Sequence, residues 1–389
     1  MSPEVWGFVL LLQSLSIWLQ TVVEYGFNFS AARQVSIARN EPVAISELLG
    51  GVIGAKLLLS VCICLISLLA FLFLAQMRDQ PLLVVLATLS AVAQGFTPMW
   101  YFMGKEKFAL FSSIDLVTRV LYLFSCLIFI KSDGDAYLIF GLGFIIFSLS
   151  NIIGYFIINQ EDKIRWPKIA NSAEALRDGF HMFLFTGITG IYTTLNVFIL
   201  GLNQAPAVVA NYGTADRIVR SSSGLMDPLN RIIFSKISYL YEYNPKKAFK
   251  LLLISAPLVV SLGVAICISG IAVAPFIVDV FFPKYPDAAK YISALIIYVP
   301  IVSMNSVLGF QIMLPLKMDA AFSRIFIVAS LVSLAAMIIL LPAYGVGGMI
   351  WIIIATEVFV FVSMLIVVVL SDKTKSMIRR MRNGNPGDI

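Results

Sequence analysis

Charged residues are scarce in this chain: Asp, Glu, Lys and Arg together make 13% of 389 residues. Histidine occurs once, at His181, so no histidine-rich metal cluster can be built. No GxxxxGK[ST] loop is present, which excludes ATP hydrolysis by that route. No GxSxG nucleophile elbow occurs either, and Gly141 and Gly143 are only a fragment of a glycine pattern inside an apolar run. The four cysteines, Cys62, Cys64, Cys126 and Cys267, all fall in apolar runs and read as small buried residues rather than disulfide or metal partners. Met1 to Val5 lacks a basic stretch and no small-residue cleavage site ends the first apolar run, so no signal peptide is expected. No polar stretch is long enough for a soluble domain, which argues against nucleic-acid binding. Nothing here points to catalysis, a metal or a cofactor.

What the chain has in excess is apolar sequence: 59% hydrophobic residues and a mean hydropathy of +0.92. Eleven long apolar stretches run at about 6–29, 45–76, 81–103, 108–130, 136–158, 181–202, 208–235, 251–282, 291–315, 320–341 and 346–370. A bilayer core takes roughly 20 apolar residues per helical crossing. Backbone in lipid must satisfy its own hydrogen bonds, so the stretches are expected to be helices. The expected fold is an all-α polytopic membrane protein of about eleven transmembrane helices in two bundles around a central cavity.

Positive charge alternates along this pattern. The gaps after the first, third, fifth, seventh and ninth stretches, with the C-terminal tail, hold 18 of the 28 Lys and Arg; the other gaps hold four and the stretches six. Positive loops stay cytoplasmic, which places the N-terminus outside (periplasmic) and the tail with Lys373, Lys375, Arg379, Arg380 and Arg382 inside, near anionic lipid. The polar segment 160–180 is the one plausible half boundary. It divides an N-terminal bundle at 1–159 (five spans) from a C-terminal bundle at 181–389 (six spans). The imbalance, the outward N-terminus and a faint echo between Pro3–Gly7 and Pro206–Gly213 lead to the expectation that one N-terminal helix is missing.

Polar groups inside the stretches carry the functional argument. A Lys or Arg at the bilayer centre costs about 2.5–3.5 kcal/mol even on the mild insertion scale, so Lys56, Arg119, Arg217, Arg220, Arg231 and Arg324 should face protein or water. Asp115–Arg119, Asp216–Arg220 and Asp227–Arg231 are i,i+4 with the acid first, the favourable order for internal ion pairs. Lys56 and Arg324 lie near cytoplasmic ends and either snorkel or face a cavity; Arg217 is the best single cavity cation. At about 100° per residue Gly213, Arg217, Arg220, Gly224, Asp227 and Arg231 share one stripe, unless Pro228 breaks the helix. Guanidinium groups suit bidentate contact with phosphate or carboxylate. Milder stripes join Gln13, Ser16, Gln20 and Glu24; Ser112, Asp115, Arg119 and Tyr122; and Thr186, Thr189, Thr193 and Asn196. These serve either helix contact or sugar, with Thr189, Thr193 and Asn196 the candidate sugar contacts. Glu24, Asp115, Asp216 and Glu357 are candidate ion-coupling sites. Trp100 and Tyr101 either anchor the interface or stack on sugar rings.

Several strings resemble the Wzx family of O-antigen and polysaccharide flippases within the MOP exporter superfamily. They are Glu24–Arg33 (EYGFNFSAAR), Pro98–Lys107 (PMWYFMGKEK), Arg177–Phe183 with Ile191–Gly201, Asn211–Arg217 (NYGTADR) and Asp227–Ile232 (DPLNRI). The resemblance implies two six-helix bundles, of which this chain lacks the first helix, since Ser2–Gly7 is similar to the turn that follows it. It implies ATP-independent transfer of an undecaprenyl-diphosphate-linked oligosaccharide across the bacterial inner membrane, by alternating access. Arg217, Arg220 and Arg231, with Lys56 and Arg119, would line the lumen. Other polysaccharide-assembly membrane proteins would be partners, besides membrane lipid. The rival readings are a small-molecule or drug exporter of the same superfamily, and a membrane glycan polymerase or acyltransferase.

Overall fold

The structure, a computed structural model, describes residues 1–376. Of the basic tail, Arg379, Arg380 and Arg382 lie outside the described residues. The chain divides into two compact units, Met1–Phe198 and Ile199–Ile389.

The first unit is built from helices α1 (Pro3–Glu24), α2 (Ser30–Ile37), α3 (Pro42–Phe73), α4 (Ala75–Arg78), α5 (Pro81–Gly95), α6 (Met99–Gly104), α7 (Phe108–Phe129), α8 (Ala136–Glu161) and α9 (Ile169–Thr193). Proline opens α1, α3 and α5, where a missing N–H costs nothing and φ is preset. α5 packs between α1 and α8, and α3 lies along α9. Close approach at the second contact rests on glycine: a Cβ at Gly50 would sit 2.9 Å from the Arg165 carbonyl oxygen, and one at Gly51 2.9 Å from that of Asn171. The segment expected to be a connecting loop at 160–180 is helical from Ile169 onward, and α9 packs on α3 and α1. The two compact units divide after Phe198.

The short α10 (Asn196–Gly201) leads into the second unit, with α11 (Pro206–Gly224), α12 (Asp227–Tyr243), α13 (Pro245–Phe281), α14 (Ala288–Leu295), α15 (Tyr298–Ser306), a π-helical stretch (Val307–Met313) and α16 (Asp319–Leu370). α13 packs against α12, α14 and α15, and α15 against α16. α16 is 52 residues long but doubles at Gly345, whose φ of 52° and ψ of −134° suit glycine, three residues after Pro342.

Eight helices among the described residues are long and apolar enough to cross a membrane, against the eleven expected. The difference falls at three places. α16 counts once although it folds back at Gly345. The stretch 181–202 breaks at Thr194 and Leu195 between α9 and α10. The stretch 208–235 breaks at Leu225 and Met226 between α11 and α12, just before Pro228.

Two readings of small groups change. Trp100 and Tyr101 are fully buried, stacked edge-on with each other, so they serve neither as interface anchors nor as exposed stacking platforms. The four cysteines are free, but Cys62 and Cys64 are exposed and the other two half-buried: an apolar run facing lipid leaves its thiols on the outer face.

Candidate functional site

In the first unit, the polar residues gather at a break in one helix. α5 ends at Gly95 because Pro98 can neither donate to the ladder nor tolerate it. Carbonyls at a helix end need donors, and side chains from two neighbouring helices supply them. Lys56 Nζ of α3 donates to the Gly95 and Thr97 oxygens at 2.8 and 2.9 Å. From α8, Asn151 Nδ2 donates to Ala93 O at 2.5 Å and Tyr155 Oη to Phe96 O at 3.0 Å. Lys56 is 1% exposed. Its ammonium caps the helix, rather than reaching bulk water or an open cavity.

Beside this cap lies a polar cavity of about 110 Å³, lined among others by Gln20, Glu24, Gln94, Asp115, Arg119 and Asn151. Glu24 accepts from Gln20 Nε2 at 2.8 Å, and Arg119 Nε donates to Asp115 Oδ2 at 2.8 Å. The structure thus brings together Glu24, Asp115 and Arg119, three of the residues singled out in the sequence, from α1 and α7. Gln94 and Asn151 join them with no motif to announce them.

The second unit holds a chain of buried polar contacts. Asp216 is buried, and Arg220 Nε donates to its two oxygens at 2.9 and 2.8 Å. One turn on, Ser223 Oγ lies 3.1 Å from Tyr298 Oη, joining α11 to α15. Asn305 Nδ2 reaches Glu357 Oε2 at 2.8 Å and the Glu357 carbonyl at 3.1 Å, joining α15 to α16. Ser255 Oγ donates to the fully buried Gln311 of the π-helical stretch at 2.9 Å. Apolar helices hold such groups only where each finds a partner. Tyr298, Asn305 and Gln311 carry no formal charge, so charge counting along the sequence passed over them.

The remaining candidates are dispersed. Arg217 is exposed on α11, next to buried Asp216. Asp227 and Arg231 are exposed on α12 and form no ion pair among the described residues; the break after Gly224 takes both off the stripe of α11. Arg324 is exposed near the start of α16. Thr189 and Thr193 turn their hydroxyls onto carbonyls of their own helix, Phe185 at 2.7 Å and Thr189 at 2.9 Å. Asn196 is fully buried at the break between α9 and α10. There Ser14 of α1 bridges the gap, donating to Thr194 O at 2.5 Å and accepting from the Phe198 amide at 3.1 Å. His181 is exposed, and no group of three metal-ligating side chains forms among the described residues.

At the polar end of the first unit, outside the apolar segments, Arg39 pairs with Glu106 at 2.8 Å, Lys105 with Asp162 at 2.7 Å and Lys107 with Glu161 at 2.6 Å. The hydrogen bond from Arg39 holds the Glu106 carboxyl below its ordinary range. Tyr101 Oη donates to Asp162 Oδ2 at 2.6 Å from within the packed core.

The sequence model described as "Polysaccharide biosynthesis protein" matches residues 1–234, more than half of the chain. The chain belongs to the polysaccharide biosynthesis protein family. Among relatives outside that match, a protein of Escherichia coli (strain K12) described as "Putative O-antigen transporter" is 28% identical over 375 residues, 95% of this chain and 89% of the relative. One of Shigella dysenteriae with the same description is 25% identical over 372 residues, 94% of this chain and 92% of the relative. Among solved structures, an inward-facing multidrug resistance MATE family transporter of the MOP superfamily superposes with a TM-score of 0.74 at 14% identity, over 98% of this chain and 91% of that one. The lipid II flippase MurJ in an inward closed conformation gives 0.62 at 16% identity, over 98% and 88%. At these identities the likeness concerns the fold. This member of the family is a polytopic, all-α membrane protein whose fold is that of the MATE and MurJ structures.

Proposed function

We propose that this chain flips an undecaprenyl-diphosphate-linked O-antigen or related polysaccharide repeat unit from the cytoplasmic to the periplasmic leaflet of the bacterial inner membrane, by alternating access. The carrying observation is the polar chemistry held inside apolar helices: Glu24, Asp115 and Arg119 around one cavity, and the pairs Asp216–Arg220, Ser223–Tyr298 and Asn305–Glu357 in the second unit. The names of the two relatives support the cargo. Eleven crossings in two bundles around a central cavity, with the N-terminus periplasmic and the C-terminus cytoplasmic, belong to this proposal; so does the functional division at 160–180.

Asp216 engages Arg220 through Nε, and a guanidinium carries four further N–H donors. Those donors, with the exposed Arg217, suit the two phosphates. Arg231 and Arg324 would steer the head group from the surface. Thr189 and Thr193, with hydroxyls turning from the helix backbone to the cargo, and the Asn196 carboxamide are proposed sugar contacts. Lys56 contributes through the shape of the α5 break. Glu24, Asp115, Asp216 and Glu357 are proposed coupling sites for a proton or cation.

The test is replacement of Arg217 and of Arg220 by Ala, with expression checked and surface glycan measured. Loss of glycan with the lipid-linked unit stalled on the inner leaflet is expected; normal glycan in both variants contradicts the anion clamp. The second reading, export of a small molecule, is favoured by the MATE likeness. It predicts unchanged glycan and altered drug sensitivity in a deletion strain.

A further inference from the structure

The segment between α8 and α9 combines two properties that rarely occur together. Its backbone is tightly seated, and two of its apolar side chains are left in the open while Ile164 packs on the core. The seat is a glycine notch on α3. A Cβ at Gly50 would lie 2.9 Å from Arg165 O and 3.3 Å from Trp166 O, and one at Gly54 2.8 Å from Pro167 Cβ. Arg165 is further tied to Glu47 of α3 at 3.0 Å. Yet Trp166 is 91% exposed and Ile169 85%. The main chain at Arg165 and Trp166 and the Pro167 ring lie against α3 while the Trp166 and Ile169 side chains stay exposed.

The charges around them are just as one-sided. Glu161 and Asp162, the acids that open the segment, are taken by Lys107 and Lys105, and Arg165 is taken by Glu47. That leaves exposed Lys163 and Lys168 flanking the indole as net positive charge.

The height of the notch along α3 says what lies opposite. Leu57, Leu58, Val61, Leu65, Leu68 and Phe73 form the exposed apolar face of this helix. Counting about 20 residues back from Phe73, the length of one hydrocarbon core, reaches Gly54. Trp166 is therefore held at the boundary between hydrocarbon and head groups, the layer that indole rings prefer. Lysines at that layer are attracted by anionic lipid, roughly 1 kcal/mol or about fivefold in affinity for each.

We propose that residues 163–169 form a built-in lipid clamp: Trp166 and Ile169 insert into the interfacial layer while Lys163 and Lys168 bind anionic head groups. The glycine notch holds the clamp at fixed depth, so the segment that joins α8 to α9 rides on the bilayer surface. The chemistry favours lipid over a protein partner because the patch is small, flanked by cations and placed at bilayer height.

The experiment uses the full chain reconstituted in vesicles, wild type against Trp166→Phe, with the difference in emission taken as the Trp166 signal. Five tryptophans are present, so the subtraction is needed. Vesicles contain lipid brominated near the carbonyls, with or without phosphatidylglycerol. The expected result is a blue-shifted Trp166 signal that bromolipid quenches and aqueous iodide does not. Quenching should deepen with phosphatidylglycerol, and the Lys163→Glu, Lys168→Glu double variant should lose that dependence. A signal quenched by iodide and untouched by bromolipid would overturn the clamp. A signal shielded from both would also overturn it, in favour of a protein surface covering Trp166. Trp166→Phe removes no packed contact, and folding of the charge variant is checked by elution from a sizing column.

Discussion

At the residue scale, the six cations inside apolar stretches turn out to have different roles. Lys56 looks from the sequence like a cargo-binding charge, yet its ammonium closes the end of α5. Lys56→Ala leaves a cavity and two carbonyls without donors, and is expected to destabilise the first unit by about 2–4 kcal/mol. Thermal unfolding in detergent checks this; transport per folded molecule should be nearly unchanged. Arg119 and Asp115 are both partly exposed, so their pairing adds little to stability and is free to change partners. The Arg39–Glu106 pair has a defined pH signature. Because the Glu106 carboxyl titrates below its ordinary value, its contribution is present above about pH 4.5 and is lost as pH falls through the folded-state value. Unfolding of wild type and Glu106→Gln should therefore differ at neutral pH and converge in acid.

At the scale of elements, breaks do most of the organising. α5, the α9–α10 pair and the α11–α12 pair each stop within a stretch whose hydropathy reads as continuous. The first two interruptions are repaired by side chains from elsewhere: Lys56, Asn151 and Tyr155 at the first, Ser14 at the second. Hydropathy averages over windows and is blind to such repairs; a lone Asn or Tyr in an apolar run has no periodicity to betray its partner. Proline was the legible signal, at Pro98 and Pro228. The α3–α9 contact makes the opposite demand, for surface with no side chain at all. Gly51→Val places a branched side chain where the Asn171 carbonyl already stands 2.9 Å from the Cβ position. Overpacking of this kind is expected to cost about 1–3 kcal/mol, read as lower yield and a lower melting temperature of the purified protein.

For the whole molecule, the prediction concerns coupling. Glu357 is buried and held by Asn305, in the same unit as the Asp216–Arg220 and Ser223–Tyr298 pairs. Glu357→Gln keeps shape and removes the titratable group. If Glu357 takes part in coupling, as proposed, transport in vesicles by this variant should no longer respond to an imposed proton or cation gradient, while downhill movement persists. An unchanged gradient response would remove Glu357 from the proposed coupling sites. Arg217→Ala and Arg220→Ala test the other half of the transport cycle, the grip on the cargo.

The sequence by itself determined that this is an all-α membrane protein, because apolar runs of about 20 residues suit helical crossings, which satisfy their own backbone hydrogen bonds. It also picked out the acid and base pairs Asp115–Arg119 and Asp216–Arg220, since i,i+4 spacing is a local property of the helix. Only the tertiary structure decided what those charges meet. That Lys56 caps a helix end, that Glu24 shares a cavity with Asp115, and that Glu357 is held by Asn305 depend on which helices lie side by side. That choice is made by close packing at glycines and by partner-seeking of buried polar groups, neither of which has a one-dimensional pattern.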